Sequence, residues 1–382
     1  MGHLGRGVLE HAEKMIKNGL RLRARLFEKQ ILTVVSKIIH SGTFLEGREN
    51  KKLVKMLEKY FGSGKIVLTA SGHDAIFLSL KSLKLGPKDE VIFPVNSYPT
   101  AHPIFLSGAQ PVGCDVDENG QLDPKQVLKK INKNTKVIFV VHLYGLVGKL
   151  DKLLRIAKEK ELILLEDCAQ AFGAKFDKRL IGTFGSVSCF SFYPTKNLAT
   201  LGDGGAVWTK NLKFYNYLKK AKMYGEERRY QGEFISGHSR IPEIQAGILN
   251  VYLEILEKEL TKRIKLANYY RLLLNNPKVK KHVRVLSSHP LSEPAQHQFV
   301  VAVEKRDKLV SYLNKYQIKT AIHYPYSVNR VKAFKNAFPP NVRFAIAEKL
   351  SNTILSLPFN AYMTEEEIDY IVDKMIRFYT HA

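Results

Sequence analysis

Three groups of residues in this chain have the types and spacing to act together on a small molecule. The first is Lys196, alone in Thr195-Lys196-Asn197. It follows a run in which Val187, Cys189, Phe190 and Phe192 alternate with small residues until Pro194 ends the ladder, and it precedes the turn Gly202-Asp203-Gly204-Gly205. A lysine on a short loop between two apolar strands is partly desolvated. Desolvation disfavours the ammonium form and leaves the amine usable as a nucleophile. The second is Asp167, just beyond the apolar run at 162–165. That is the profile of a buried parallel strand with a carboxylate at its carboxyl end, where open α/β sheets bind their ligands. The third is Ser71-Gly72-His73, a small-residue turn after the apolar 66–68, with Ser71 able to cap a helix bearing Ala75, Leu78 and Leu83. A helix opening presents free N–H groups and a positive dipole end, which suits a phosphate. Each residue also has an ordinary alternative. A lone lysine among 60 lysines and arginines is commonly a surface residue, and an Asp after a strand commonly caps a helix.

Taken together, a phosphate anchor, a strand-end carboxylate and a loop amine describe a site for pyridoxal phosphate (PLP). The lysine would form a Schiff base with the aldehyde, the aspartate would pair with the pyridinium nitrogen, and the helix end would hold the phosphate. The elements that must position these groups follow from periodicity. Strands are expected at 66–69, 91–95, 110–116, 136–141, 162–167, 186–192 and 206–209, with helices near 72–84, 99–107, 123–131, 151–160 and 211–222. Such alternation predicts an α/β fold with a mostly parallel sheet covered on both faces. Asp123-Pro124 reads as an N-cap followed by proline at the first helical position.

After Pro242 a helical pattern runs to about 275, with Leu249, Leu253, Leu256 and Leu260 on one face. It leads into a smaller C-terminal α+β domain, with strands near 297–303 and 319–323, a helix at 306–315 and a last helix opened by the capping box Thr364/Glu367. Three parts are therefore expected: a basic helical extension over 1–30, a large cofactor-binding domain over 31–245, and a linking helix with the small domain over 246–382. The extension carries Lys14, Lys17, Arg21, Arg23 and Arg25 among Leu9, Met15, Ile16, Leu20 and Leu22. Packing on a dimer is the role expected of it, with a membrane surface or another partner as the alternative.

With 382 residues and 45% hydrophobic content, the chain can bury a large core. No apolar run approaches the roughly 20 residues of a membrane span, and the start MGHLGRGVLEHAEK lacks the apolar core of a signal peptide. Cys114, Cys168 and Cys189 are isolated and lie in or beside strand-like stretches. They read as small buried residues in a reducing cytoplasm, with no metal set among them. The net charge of +24 admits solvated lysine-rich helix faces, attraction of an anionic small molecule, or nucleic-acid binding. The basic clusters are short, and no nucleic-acid partner is expected.

Four stretches, IVLTASGHDAIFLSLKSLKLGPKDEVIFPVNSYPTA, VVHLYGLVGKLDKL, LLEDCAQAFGAKF and SFYPTKNLATLGDGGAV, resemble the DegT/DnrJ/EryC1/StrS family of PLP-dependent sugar aminotransferases. The likeness runs in order from about Ser41-Gly42 to Thr364-Glu365-Glu366. It implies the fold type I aminotransferase architecture with a seven-stranded central sheet, a homodimer, and amino transfer from L-glutamate to a keto-sugar linked to a nucleoside diphosphate. Residue by residue, Lys196 matches the Schiff-base lysine, which also acts as acid and base once freed. Asp167 matches the partner of the ring nitrogen, and Gln170 a glutamine near the phenolic oxygen. Ser191 matches a phosphate-binding hydroxyl, and Tyr98 the aromatic that stacks on the ring. Ser191 as a plain strand residue and Tyr98 as a core tyrosine are the alternatives. Gly72 and His73 match a glycine and a threonine at the phosphate. His238 stands where an asparagine reaches in from the partner subunit, and His323-Tyr324 resemble a motif beside the sugar.

The two histidines at phosphate positions are departures from the family pattern. Related sugar dehydratases carry histidine in place of the lysine, so Lys196 weighs against that activity. A non-catalytic regulatory or nucleic-acid-binding protein on the same fold would not need Lys196, Asp167 and Gln170 together. Borohydride reduction of the cofactor-loaded protein should attach the cofactor to the peptide that carries Lys196. Label on another lysine would overturn the assignment.

Overall fold

The computed structural model describes residues 19–381. The N-terminal part of the expected extension, with Lys14 and Lys17, lies outside the described residues. Nine strands precede residue 210: β1 Lys65–Thr69, β2 Glu90–Pro94, β3 Gln110–Cys114, β4 Thr135–Val141, β5 Ile163–Asp167, the short β6 Lys175–Phe176 and β7 Arg179–Leu180, then β8 Val187–Ser191 and β9 Gly205–Thr209. Seven of them form one sheet in the order β1-β9-β8-β5-β4-β2-β3. The pairs β2/β3, β2/β4, β4/β5 and β5/β8 are parallel. Only β9 runs the other way, antiparallel to both β1 and β8. The connection from Ser191 to Gly205 contains no helix, so β9 returns without the crossover that a parallel neighbour requires.

The sheet matches the expected strands to within two or three residues at each end. Its central strands are buried on both faces, as near-continuous apolar runs require. The helix starts follow their local chemistry. Ser71 Oγ accepts from Asp74 N at 3.1 Å, and Asp123 Oδ1 from Lys125 N at 3.1 Å. Thr364 N donates to Glu367 Oε2 at 2.7 Å while Glu367 N donates back to Thr364 Oγ1 at 3.3 Å, a closed capping box. The long helix is Glu243–Leu274.

The small domain departs from the expected pattern. Residues 319–323 make a single bridge, Ala321 to Ser356, instead of a strand. Its sheet is antiparallel, with Phe299–Val303 between Val283–Val285 and Ile354–Leu357. The two outer strands have three and four residues. Ile354–Leu357 follows the helix Ala345–Thr353 with no turn residue between them, so no punctuation marks it. The described extension also differs from a surface helix. Gly19–Leu26 breaks at Phe27 before Glu28–Ser41, and Arg23 is 6% exposed against its own chain.

Glu166 ties several of these elements together. Fully buried, it accepts from His142 Nε2 at 3.1 Å, from the backbone N–H groups of Gly182, Phe184 and Gly185 at 3.1, 3.0 and 2.7 Å, and from Ser188 Oγ at 3.2 Å. Burial works to raise its carboxyl, but the bonds from His142, Gly185 and Gly182 hold it below the usual range. Glu166→Ala would leave this ring of buried donors unpaired. It should lower stability by about 3 kcal/mol or more, read as a fall in the urea midpoint.

Candidate active site

The common strand direction brings the carboxyl ends of β1, β2, β5 and β8 to one edge of the sheet. Asp167 ends β5 and Ser191 ends β8 on the adjacent strand. The turn after β1 leads into the helix Gly72–Ser82, and the turn after β2 into the helix Tyr98–Leu106. The polar loop after β8 carries Lys196, whose N–H donates to Tyr193 O at 2.9 Å.

Lys196 is half-buried. Burial pulls its amine down to about 8, and the nearby Asp167 carboxylate pulls less strongly the other way. Asp167 is 5% exposed, and both of its oxygens are engaged. Oδ2 accepts from Thr100 Oγ1 at 2.6 Å and Oδ1 from Ala169 N at 2.9 Å. Thr100 in turn is 2.7 Å from Ser97 Oγ. Ser97 and Thr100 were not singled out from the sequence. Their only signal was a pair of hydroxyls flanking Tyr98 at the start of a helix, and the bond from Thr100 to Asp167 spans 67 residues.

The phosphate end is built by close approach. A Cβ on Gly72 would fall 2.5 Å from Ser191 Cβ and 3.0 Å from Ser191 Oγ, so only glycine lets the β8 hydroxyl stand at the helix opening. A Cβ on Gly205 would fall 2.3 Å from Ser71 O. The first-turn N–H groups of Gly72 and His73 have no preceding turn to bond. These features fit a phosphate. His73 lies 3.6 Å from Asp74 Oδ1, while Asp74 also accepts from Ser239 Oγ at 2.6 Å. Burial works to raise the Asp74 carboxyl, and His73 and Ser239 hold it below the usual range.

Tyr98 is 37% exposed, so it is no core tyrosine. Its ring lies 4.7 Å from His102 and 6.4 Å from Tyr324. Tyr324 also meets Asp167 and Gln170, and its phenol is pushed up to about 12 by burial and by Asp167, with a hydrogen bond to Gln170 opposing. Gln170 Oε1 accepts from Tyr144 N at 2.6 Å and its NH2 serves the Tyr324 phenol, which leaves one N–H of that NH2 for a ligand. His323 Nδ1 is 2.9 Å from Ser356 Oγ and its Nε2 3.2 Å from Gln298 Nε2. Donation by the amide fixes Nε2 as acceptor and puts the proton on Nδ1. Burial and Lys196 both push this imidazole down, so it is neutral near pH 7. His297, missed from the sequence, is pushed well down by burial and then by Lys196, and its Nδ1 is 3.3 Å from Asn197 Oδ1.

The fold thus gathers Lys196, Asp167, Gln170, Gly72, His73, Ser191, Tyr98, His323 and Tyr324 in one region. His238 is not gathered with them. It is exposed, with its ring 5.3 Å from Tyr224, while its neighbour Ser239 turns inward to Asp74 and to Ala70 N.

Residues 26–376 match the DegT/DnrJ/EryC1/StrS aminotransferase family. The chain is 33% identical to the dTDP-3-amino-3,6-dideoxy-alpha-D-galactopyranose transaminase of Aneurinibacillus thermoaerophilus, across 92% of this chain and 96% of that one. It is 32% identical to a pleiotropic regulatory protein of Geobacillus stearothermophilus, across 92% and 95%. Among solved structures, S. venezuelae DesV in complex with a ketimine intermediate superposes with a TM-score of 0.91 at 32% identity, covering 95% of this chain and 98% of that one. A match over this length, joined to a lysine and an aspartate meeting at the carboxyl edge of a mostly parallel sheet, makes the chain a member of the DegT/DnrJ/EryC1/StrS aminotransferase family.

Proposed function

We propose that the protein is a PLP-dependent aminotransferase that moves an amino group from L-glutamate to a keto-sugar carried on a nucleoside diphosphate. The observation that carries this reading is the buried amine of Lys196, lowered to about 8 and set beside Asp167. When bound, PLP supplies an aldehyde that condenses with amines and a ring that draws electrons from the substrate carbon. Ser191, Gly72 and the open helix turn would hold its phosphate. Asp167, fixed by Thr100 and Ala169, would hold a proton on the ring nitrogen. Gln170 would offer its NH2 to the phenolic oxygen, and Tyr98 would cover a ring face. Lys196 would carry the proton between substrate and cofactor carbons, because an amine near 8 exchanges protons readily at neutral pH. Tyr324 and neutral His323 would border the sugar.

A homodimer is part of this reading. Phe44 and Leu45 are exposed beside Glu46, which pairs with Lys222, and Tyr224, Tyr230 and Ile235 are exposed along the segment that follows Lys222 and carries His238. A second copy would cover this apolar surface and bring His238 to the partner's phosphate site. We also place the protein in the cytoplasm: its three cysteines are buried free thiols, and no described helix is long and apolar enough to cross a membrane. The regulatory relative raises the alternative of a protein without turnover, which gives Lys196 and Asp167 no task.

A panel of keto-sugar nucleotides with L-glutamate should yield one amino-sugar nucleotide by mass. Asp167→Asn should still take up PLP but lose at least about 100-fold in kcat. No product from any member of the panel would overturn the reading. The rate at which apoprotein takes up PLP should rise about tenfold per pH unit below about 8 and level off above it, because only the neutral amine reacts. A lysine at its ordinary 10.5 would keep rising past pH 9.

A further inference from the structure

The Lys196 loop is held from behind by a residue that precedes the family match. Arg23, in the helix Gly19–Leu26, donates from Nη2 to the backbone carbonyl of Asn197 at 3.1 Å, and the same nitrogen lies 2.7 Å from Glu259 on the long helix. Its guanidinium lies over the Tyr252 ring at 4.0 Å. Arg23 and Glu259 have side chains 7% and 9% exposed, and Tyr362 OH also donates to Glu259. Asn197 continues the network, with Nδ2 donating to Ala295 O at 2.9 Å and Oδ1 facing His297. The helix itself sits tightly, since a Cβ on Gly19 would fall 2.5 Å from Asn360 Cγ. Arg23, Thr195, Lys196, Glu259 and His297 border one cavity of about 200 Å3.

We propose that Arg23 is a positioning residue for Lys196: anchored by Glu259, it fixes the Asn197 carbonyl and so keeps the lysine seated beside Asp167. The proposal rests on the reading of Lys196 as the PLP lysine. Arg23 suits the task because a planar guanidinium can bond a carboxylate and a carbonyl at once while stacking on an aromatic face, and a lysine ammonium cannot reproduce that fork. The surroundings give the clamp a measurable consequence. Burial is the main influence lowering the Lys196 amine, ahead of the opposing Asp167. The other charged or titratable groups around the loop include His297, His323 and Tyr362 from the C-terminal part of the chain and Arg263 and Glu259 from the long helix. Arg23→Lys leaves all of these in place, and a loosened loop would admit water to the amine.

The test uses Arg23→Lys, which keeps the ion pair and every other charge around the loop, and the double variant Arg23→Met with Glu259→Gln, which removes the Arg23–Glu259 pair as a whole. Each is first compared with the parent by thermal unfolding. PLP uptake by the apoproteins is then followed across pH 6.5 to 10. In a folded variant, the pH at which uptake levels off should move up by at least one unit, so that uptake at pH 7 slows about tenfold or more. Arg23→Lys decides the matter if the double variant does not fold. A folded variant with a lowered unfolding temperature and an unchanged uptake profile would overturn the proposal, leaving Arg23 a purely structural residue. Failure of the parent itself to bind PLP on Lys196 would instead defeat the underlying assignment, so the two failures are distinguishable.

Discussion

Two adjacent carboxylates at the end of β5 face opposite ways, and the site depends on that alternation. Successive side chains on a strand point to opposite faces of the sheet. Glu166 therefore points into packed protein, where it collects the His142 ring, three backbone N–H groups and the Ser188 hydroxyl. Asp167 points to the ligand side, where Thr100 and Ala169 fix both of its oxygens. The first carboxylate joins the end of β4, the 181–185 turn and β8 around β5. The second inherits that rigidity. Asp167 is buried with both oxygens held by hydrogen bonds, and it needs no reorganisation when a ligand cation arrives beside it.

The rest of the site is arranged around lowering one amine without losing its partner. Burial lowers Lys196, and Asp167 limits the fall. The imidazoles on the same side, His297 and His323, are pushed down by burial and by Lys196, so they add no competing cation. Arg263 lies close to Glu259 and is itself lowered to about 10 by burial, against the pull of that carboxylate. The imidazoles beside Lys196 thus stay uncharged while the Arg23 and Arg263 guanidinium groups are set against Glu259, although the whole chain carries +24. The excess lies on the surface, where it can draw an anionic substrate inward without protonating the site.

The helix opening at Gly72 and His73 shows a different balance. His73 is half-exposed and faces Asp74, which also accepts from Ser239. A carboxylate one residue away competes with any anion for this imidazole. Ser191 and the open N–H groups of the helix turn carry no such partner and are the firmer phosphate ligands in our reading. His238 stands outside the cluster that the described chain forms.

Much of this was legible in the chain itself, because it rests on local rules. Apolar runs of five to seven residues separated by capped helices dictate a parallel sheet. A lysine between two such runs and an aspartate at the end of another are readable from position alone. Ser71, Asp123 and Thr364 act on residues two or three places away, so their caps could be read directly. Tertiary structure alone decided whatever joins distant segments. Thr100 reaches Asp167 across 67 residues, and Arg23 reaches Asn197 across 174. The arginines at the start of the chain read as a basic helix packing on a dimer, because a buried cation within the chain costs too much unless a carboxylate meets it. That carboxylate is Glu259, 236 positions further along on a helix face that periodicity alone places beside no other segment.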